Sequence, residues 1–197
     1  MTNRLPAAQR RRQLLDIAVG VFAEHGFHKT AMVEVAAAAG VTKPVVYQHF
    51  PSKRALYLEV LLDVGDRLCR TIETATLDVS SPRHQVYEAL LAFFRFVDTD
   101  RDAFTVLFGD GTRREETFAA AAAEVEAAME RSIASRLLVP GMTANARAIL
   151  ARGIVGMAEA AARQWLGQAD PDPVEDVAAL VAQVSWSGLR GLSTAQS

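Results

Sequence analysis

Apolar residues recur at three- and four-residue spacing along most of this chain, and they almost never alternate, so the pattern predicts helices and no strand. From residue 6 to about 24, Leu14, Ile17, Ala18, Val21 and Phe22 fall on one stripe, and Pro6 suits a first helical turn. His25-Gly26-Phe27 ends that segment. Residues 32–39 read as a short alanine-rich helix with Val35, Ala36 and Ala39 on one face. Gly40 then supplies the left-handed conformation that closes a helix cheaply. Val41 plugs the corner and Thr42 caps a second short helix of about two turns. Ser52 caps a long fourth helix over 53–76, which can join the parts before and after it as a rod. After the break at Asp78-Val79-Ser80-Ser81-Pro82, helices are expected at about 83–98, 101–108, 113–138, 143–168 and 172–190. Thr143 and either Asp170 or Asp172 are candidate caps. The expectation is an all-α chain of about nine helices.

Charge divides the chain. Residues 1–60 carry eight Lys or Arg against four Asp or Glu, whereas the rest carries 13 against 19, so the net charge of −2 conceals a basic head on an acidic body. All lysines lie in the head. That split suits a polyanion-binding module attached to a domain that avoids polyanions. No apolar run is long enough to cross a bilayer, and no apolar core follows the N-terminal arginines as a secretion signal would require. The single cysteine, Cys69, excludes an intramolecular disulfide and fits a reducing cytoplasm. A cytoplasmic protein without membrane partners is expected.

Two short helices folded about a glycine are an αα-hairpin, and in this basic setting they read as a helix-turn-helix that enters the major groove of double-stranded DNA. Tyr47 and His49 are placed to donate to phosphates, Lys43 and Lys53 add cationic contacts, and Thr42 offers a donor at its helix N-terminus. Gln48 can pair with adenine, while Pro44 and Val45 can touch a thymine methyl. Tyr47 as a core tyrosine and Gln48 as a solvated surface residue are the plainer alternatives. Arg4, Arg11 and Arg12, with Arg10, form a candidate arm along the backbone or in the minor groove. Lys53 and Arg54 stand at the electropositive start of their helix, a conflict that a docked phosphate would relieve.

Phe22, His25-Gly26-Phe27, Glu34-Val35-Ala36, Gly40-Val41-Thr42-Lys43, Tyr47-Gln48-His49-Phe50, Lys53 and Leu56 together resemble, in type and spacing, the TetR family of bacterial regulators. The resemblance implies a DNA-reading three-helix domain over 1–52 and a ligand-binding and dimerisation domain over 53–197. It further implies a homodimer, a palindromic operator and a small-molecule effector, with no cofactor, no metal and no enzymatic activity. Where the family usually places Ser or Thr to open the second helix this chain has Ala31, so Thr30 is the candidate cap and phosphate donor one residue early. Asn3-Arg4-Leu5-Pro6, residues 43–50, Arg163-Gln164-Trp165-Leu166 and Trp186-Ser187-Gly188-Leu189 are similar to actinobacterial TetR regulators of fatty-acid synthesis. That narrower likeness implies a long-chain acyl-CoA effector and lipid-metabolism targets.

Given that layout, Leu90, Phe93, Phe94, Phe96, Phe104, Leu107, Phe108, Phe118, Val125, Met129, Ile133, Ile154 and Met157 are expected to line an apolar pocket, with the many alanines leaving room. For any one of them, plain core is an equal reading. Arg95, Arg101, Arg113 or Arg114 would receive the phosphates of such a ligand. Arg163, Trp165, Leu166, Leu180, Val184, Trp186 and Leu189 are the expected dimer interface, and Trp165 serves equally well as core. The rival classes are a regulator of an efflux or catabolic operon with another hydrophobic effector, a helical lipid carrier, and an enzyme. Against the enzyme, the chain lacks a nucleophile elbow, zinc-ligand spacing and a phosphate loop.

Overall fold

The computed structural model describes residues 5–136 and 141–194, with side chains up to residue 188. Arg4 and the side chain of Leu189 lie outside the described residues. The helices are α1 Ala7–Lys29, α2 Met32–Ala38, α3 Lys43–His49, α4 Lys53–Thr76, α5 Pro82–Thr99, α6 Arg101–Phe108, α7 Asp110–Arg113, α8 Glu116–Arg136, α9 Ala144–Leu166 and α10 Val174–Thr194. No strand occurs among the described residues. The periodic segments thus form helices where the pattern places them, with two local differences. The stretch expected from 113 is divided, because 110–113 makes one separate turn before α8 begins. In addition, α1 is interrupted rather than ended at Gly26, whose φ of 73° and ψ of 163° belong to a region essentially restricted to glycine.

The chain packs as two compact units, Met1–Gly65 with Arg101–Ala122, and Asp66–Asp100 with Ala123–Ser197. The expected boundary after residue 52 does not coincide with this division, because α6, α7 and the first turns of α8 pack with the N-terminal helices. In the first unit Leu14, Ala18 and Phe22 of α1 meet Val35 and Ala36 of α2, Val46 of α3, Phe50, and Leu56, Val60 and Leu61 of α4 in a buried core. Phe22, Phe27, Tyr57 and Phe118 form an aromatic cluster in which Phe22–Tyr57, Phe27–Phe118 and Tyr57–Phe118 meet edge to face, the last with centroids 4.7 Å apart. Each such pair adds about 0.5–1.5 kcal/mol beyond the area it buries.

In the second unit α5 packs on α9 and α10 through Phe94, Val97, Ala158, Ala162, Ala178 and Val181, all buried. Trp165 sits edge-on to Phe94 at 6.1 Å and donates from Nε1 to the Asp172 carbonyl at 2.8 Å, which fixes the turn between α9 and α10. The cap at Thr143 forms as expected, its Oγ1 accepting from Ala146 N at 3.1 Å.

Candidate nucleic-acid interface and effector cavity

Three backbone devices set the recognition helix. Gly40 adopts φ of 63° and Val41 N closes the corner on Ala36 O at 2.9 Å. Ser52 Oγ accepts from Ala55 N at 3.0 Å and starts α4. Val46 and Phe50 are fully buried, so the rotation of α3 is fixed by its apolar stripe. Lys43, Pro44 and Gln48 consequently face solvent, as does Tyr47 at 42% exposure, while Val45 and His49 are half-buried. Lys43 Nζ lies 5.7 Å from the centre of the Tyr47 ring, close enough for a cation–π contact. Thr42 is exposed, but its side chain makes no capping bond, so that cap is absent.

The expectation for Thr30 is corrected. Thr30 is 1% exposed, and its hydroxyl donates back to Gly26 O at 2.8 Å. The first turn of α2 is held instead by Glu34, whose Oε2 accepts from Ala31 N at 2.6 Å. That is half of a capping box, because Ala31 has no oxygen to return the bond.

The basic residues of the head are largely engaged within the protein. Arg11 pairs with Glu59 and lies 4.9 Å over the Phe50 ring. Arg12 pairs with Asp16 and Asp63; its hydrogen bonds to Asp16 and then Asp63 raise its pKa further above the usual arginine value. Lys53 Nζ donates to the carbonyls of Phe27, His28 and Thr30 at 2.7, 3.2 and 2.8 Å. Arg54 pairs with Glu115 at 2.8 Å and caps the Phe118 ring at 5.0 Å. The conflict of cations at the start of α4 is therefore relieved internally. Lys53 turns to the carbonyl-rich end of α1, where a cation is favoured, and Arg54 to a carboxylate. What remains turned outward on α3 is Lys43, Pro44, Tyr47 and Gln48.

The second unit contains a cavity of about 150 Å³, lined by α4, α5, α8, α9 and Trp186 of α10. Of the residues expected there, Leu90, Phe93, Met129, Ile133 and Ile154 line it. The others do not. Phe104, Leu107 and Phe108 pack into the first unit because α6 lies against α1, and Phe118 joins the Tyr57 cluster. Phe94 is core, Phe96 faces a groove with Arg67, and Val125 and Met157 are absent from the wall. Sequence reasoning missed Cys69, Ile72 and Thr76 of α4, Gln85, Val86 and Ala89 of α5, and Arg136 of α8. Cys69 has its thiol pKa raised, first by burial and then by Glu73 and Asp66, so it stays protonated and serves as an apolar wall residue. Trp186, expected at a dimer interface, is half-buried and forms part of this wall.

Of the other interface candidates, Trp165 is core, Leu166 is half-buried and Arg163 pairs with Glu159 at 2.8 Å. Leu180 and Val184 are 65% and 55% exposed on α10. Gly153 and Gly156 are exposed on α9, with open space where a Cβ would stand. Arg95 pairs with Glu175, while Arg101, Arg113 and Arg114 belong to the first unit, so none of the four lines the cavity. No described helix is long and apolar enough to cross a membrane.

Comparison with known proteins agrees with these features. Residues 14–60 match the bacterial regulatory proteins of the tetR family, and residues 82–187 match the tetracyclin repressor-like C-terminal domain. The chain is 34% identical to the HTH-type transcriptional activator FasR of Mycolicibacterium smegmatis over 95% of its own length and 86% of the relative's. A TetR-like transcriptional regulator from Rhodococcus sp. RHA1 superposes with a TM-score of 0.80 at 31% identity, covering 95% of this chain and 100% of that one. FadR from Bacillus subtilis, solved in complex with stearoyl-CoA, shares the fold with a TM-score of 0.79 at 16% identity, over 90% and 98% of the two chains. A glycine-cornered helix-turn-helix and a helical C-terminal region, each matched to its family, establish the chain as a member of the TetR family of transcriptional regulators, which are DNA-binding proteins and not enzymes.

Proposed function

We propose that this regulator works as a homodimer whose two α3 helices read a palindromic operator, and whose second unit senses a hydrophobic effector of the acyl-CoA class to control lipid-metabolism genes. The observation that carries this reading is an α3 with its polar side chains turned outward on a chain that also encloses an apolar cavity. Lys43 and Tyr47 would hold phosphates and Gln48, Pro44 and Val45 would read base edges, with half-sites about one helical turn, or ~10 bp, apart or somewhat more. Leu180 and Val184 on α10, together with the exposed small Gly153 and Gly156 on α9, supply an apolar face for a second copy. Kinship with FasR and the stearoyl-CoA held by the same fold in FadR support the effector class.

A cavity of about 150 Å³ is benzene-sized rather than acyl-sized, so a long chain must part its walls. Cys69, Ile72 and Thr76 of α4 are on that wall, and α4 begins at Lys53, which holds the end of α1. Filling the cavity would thereby shift α4, the spacing of the paired α3 helices, and DNA affinity. The same small volume favours a second reading, in which a compact hydrophobic molecule controls an efflux or catabolic operon.

The test is a mobility shift with DNA flanking the protein's own gene, with and without hexadecanoyl-CoA, together with native mass spectrometry of the purified protein. A sequence-specific shift altered by the thioester is expected. No specific shift would exclude regulation by DNA binding. A specific shift indifferent to acyl-CoAs of every length would move the effector to the compact class.

A further inference from the structure

The cavity is chemically lopsided. Leu90 and Phe93 of α5 close one part with buried hydrocarbon. Thr76, the last residue of α4, Gln85 in the first turn of α5, and Ser132 and Arg136 in the last turn of α8 also contribute to the wall. Three helix ends thus bring their polar residues to one mouth, beside the turn between α4 and α5. Most of this polarity is already occupied. Thr76 Oγ1 donates to Ile72 O at 3.0 Å, and Gln85 donates to Val79 O.

Arg136 differs. Its Nη1 donates to Ser132 O at 2.9 Å and to Ser132 Oγ, leaving Nη2 and Nε free, and no carboxylate lies within ion-pair distance among the described residues. Elsewhere in this unit Arg67, Arg95, Arg152 and Arg163 are paired with Asp100, Glu175, Glu130 and Glu159. Arg70, Arg83, Arg131 and Arg147 resemble Arg136 in having no carboxylate within ion-pair distance among the described residues, so what sets Arg136 apart is its place on the cavity wall. Among the described residues Arg136 is the one arginine on the cavity wall, and it is exposed, so its charge is solvated until a ligand arrives. Among the described residues the wall's one acid is Glu73, a turn away on the Cys69 side, where its field reaches the thiol.

We infer that this mouth selects an amphiphile by its anionic head: a carboxylate or phosphate docks on the Arg136 guanidinium while the alkyl chain runs inward to Leu90 and Phe93. Planar guanidinium matches either oxyanion bidentately, and placing the head at the mouth leaves room outside for a bulky group beyond it. The inference rests on the apolar-effector reading above and adds to it the direction of entry and a required charge.

Calorimetric titration of the full-length protein with decanoate, decyl phosphate, decanoyl-CoA and 1-decanol tests it. The anions are expected to bind at least ~10-fold more tightly than the alcohol, from one charge-assisted contact. Arg136→Gln should remove that preference and leave 1-decanol binding unchanged, Arg136→Glu should turn it toward decylamine, and Glu73→Gln should strengthen anion binding. The ranking of carboxylate, phosphate and thioester identifies the head. An anion preference that survives Arg136→Gln, or wild-type protein that binds alcohol and anions alike, overturns the assignment to Arg136 while leaving the apolar effector standing. Failure of all ligands to bind, the alcohol included, sinks both.

Discussion

Lys53 Nζ lies 2.7 Å from Phe27 O and 2.8 Å from Thr30 O, so a cation at the first turn of α4 closes the carbonyl end of α1 and the entry to α2. The same Nζ sits over the Phe27 ring, 4.5 Å from its centre. A lysine so placed is a strut of the DNA-binding unit. Lys53→Met should lower unfolding free energy by about 1.5–3 kcal/mol, the range for hydrogen bonds to a charged group. It should leave the slope of log affinity against log salt as in the wild type. Lys43→Gln should instead lower that slope by about 1.8 for the proposed dimer, roughly 0.9 for each of its two copies, and hardly change the melting temperature. Binding isotherms at several salt concentrations separate the two lysines.

Gly26 interrupts α1 in a conformation that any Cβ strains. Gly26→Ala should cost about 1–3 kcal/mol in denaturant titrations, although open space surrounds the site. The cost is conformational, so a smaller neighbour elsewhere should not restore it. An unchanged midpoint would mean that α1 can run straight through.

Tyr57 and Thr112 share a buried hydrogen bond of 2.6 Å. Thr112 gives its own proton to Val106 O, at 2.6 Å, so Tyr57 is the donor. Burial raises the Tyr57 pKa above the usual 10.0, and the bond to Thr112 offsets only part of this. The neutral phenol is therefore the form the fold favours. Its contribution is complete below the unfolded value near 10.0 and declines as pH rises through the higher folded value, because the unfolded chain then binds fewer protons. Tyr57→Phe should lose about 1 kcal/mol near neutrality. The difference between wild type and variant should shrink above pH ~10. Unfolding curves from pH 7 to 11 check both parts.

Leu180 and Val184 are exposed on α10, one turn apart, facing no described residue that would bury them. Leu180→Glu with Val184→Glu should leave the protein folded, since neither side chain contributes to its core, and sediment it as a monomer. The same variant should lose operator binding by the loss of one of two heads. A dimer that survives both charges would place the two-fold axis elsewhere.

The head was legible in the sequence because its signals are local. Gly40, Ser52 and the spacing of Val35, Val46 and Phe50 constrain neighbours within a few residues, and local constraints can be read one segment at a time. The cavity was less so. Six phenylalanines between residues 93 and 118 are close in sequence but pack separately: Phe104, Phe108 and Phe118 in one unit and Phe93, Phe94 and Phe96 in the other. Nothing in the periodicity of α5 or α6 says which helix will lie opposite. The wall is instead completed by small or medium residues, among them Ala89, Ala128 and Ala158, whose importance lies in volume they leave unfilled. Lys53 shows the same limit for charge: its position at a helix start suggested a phosphate, and the competing partner was a set of carbonyls twenty-odd residues earlier in the chain.

The two tryptophans have sharply different surroundings. Trp165 is locked in the core with its indole N–H bonded to Asp172, whereas Trp186 is part of the cavity wall. Only the second indole will change polarity when something enters, so the chain carries its own fluorescent gauge of occupancy, with the buried Trp165 as a constant background. Emission from unlabelled protein can therefore follow effector loading in real time, while DNA is being bound or released.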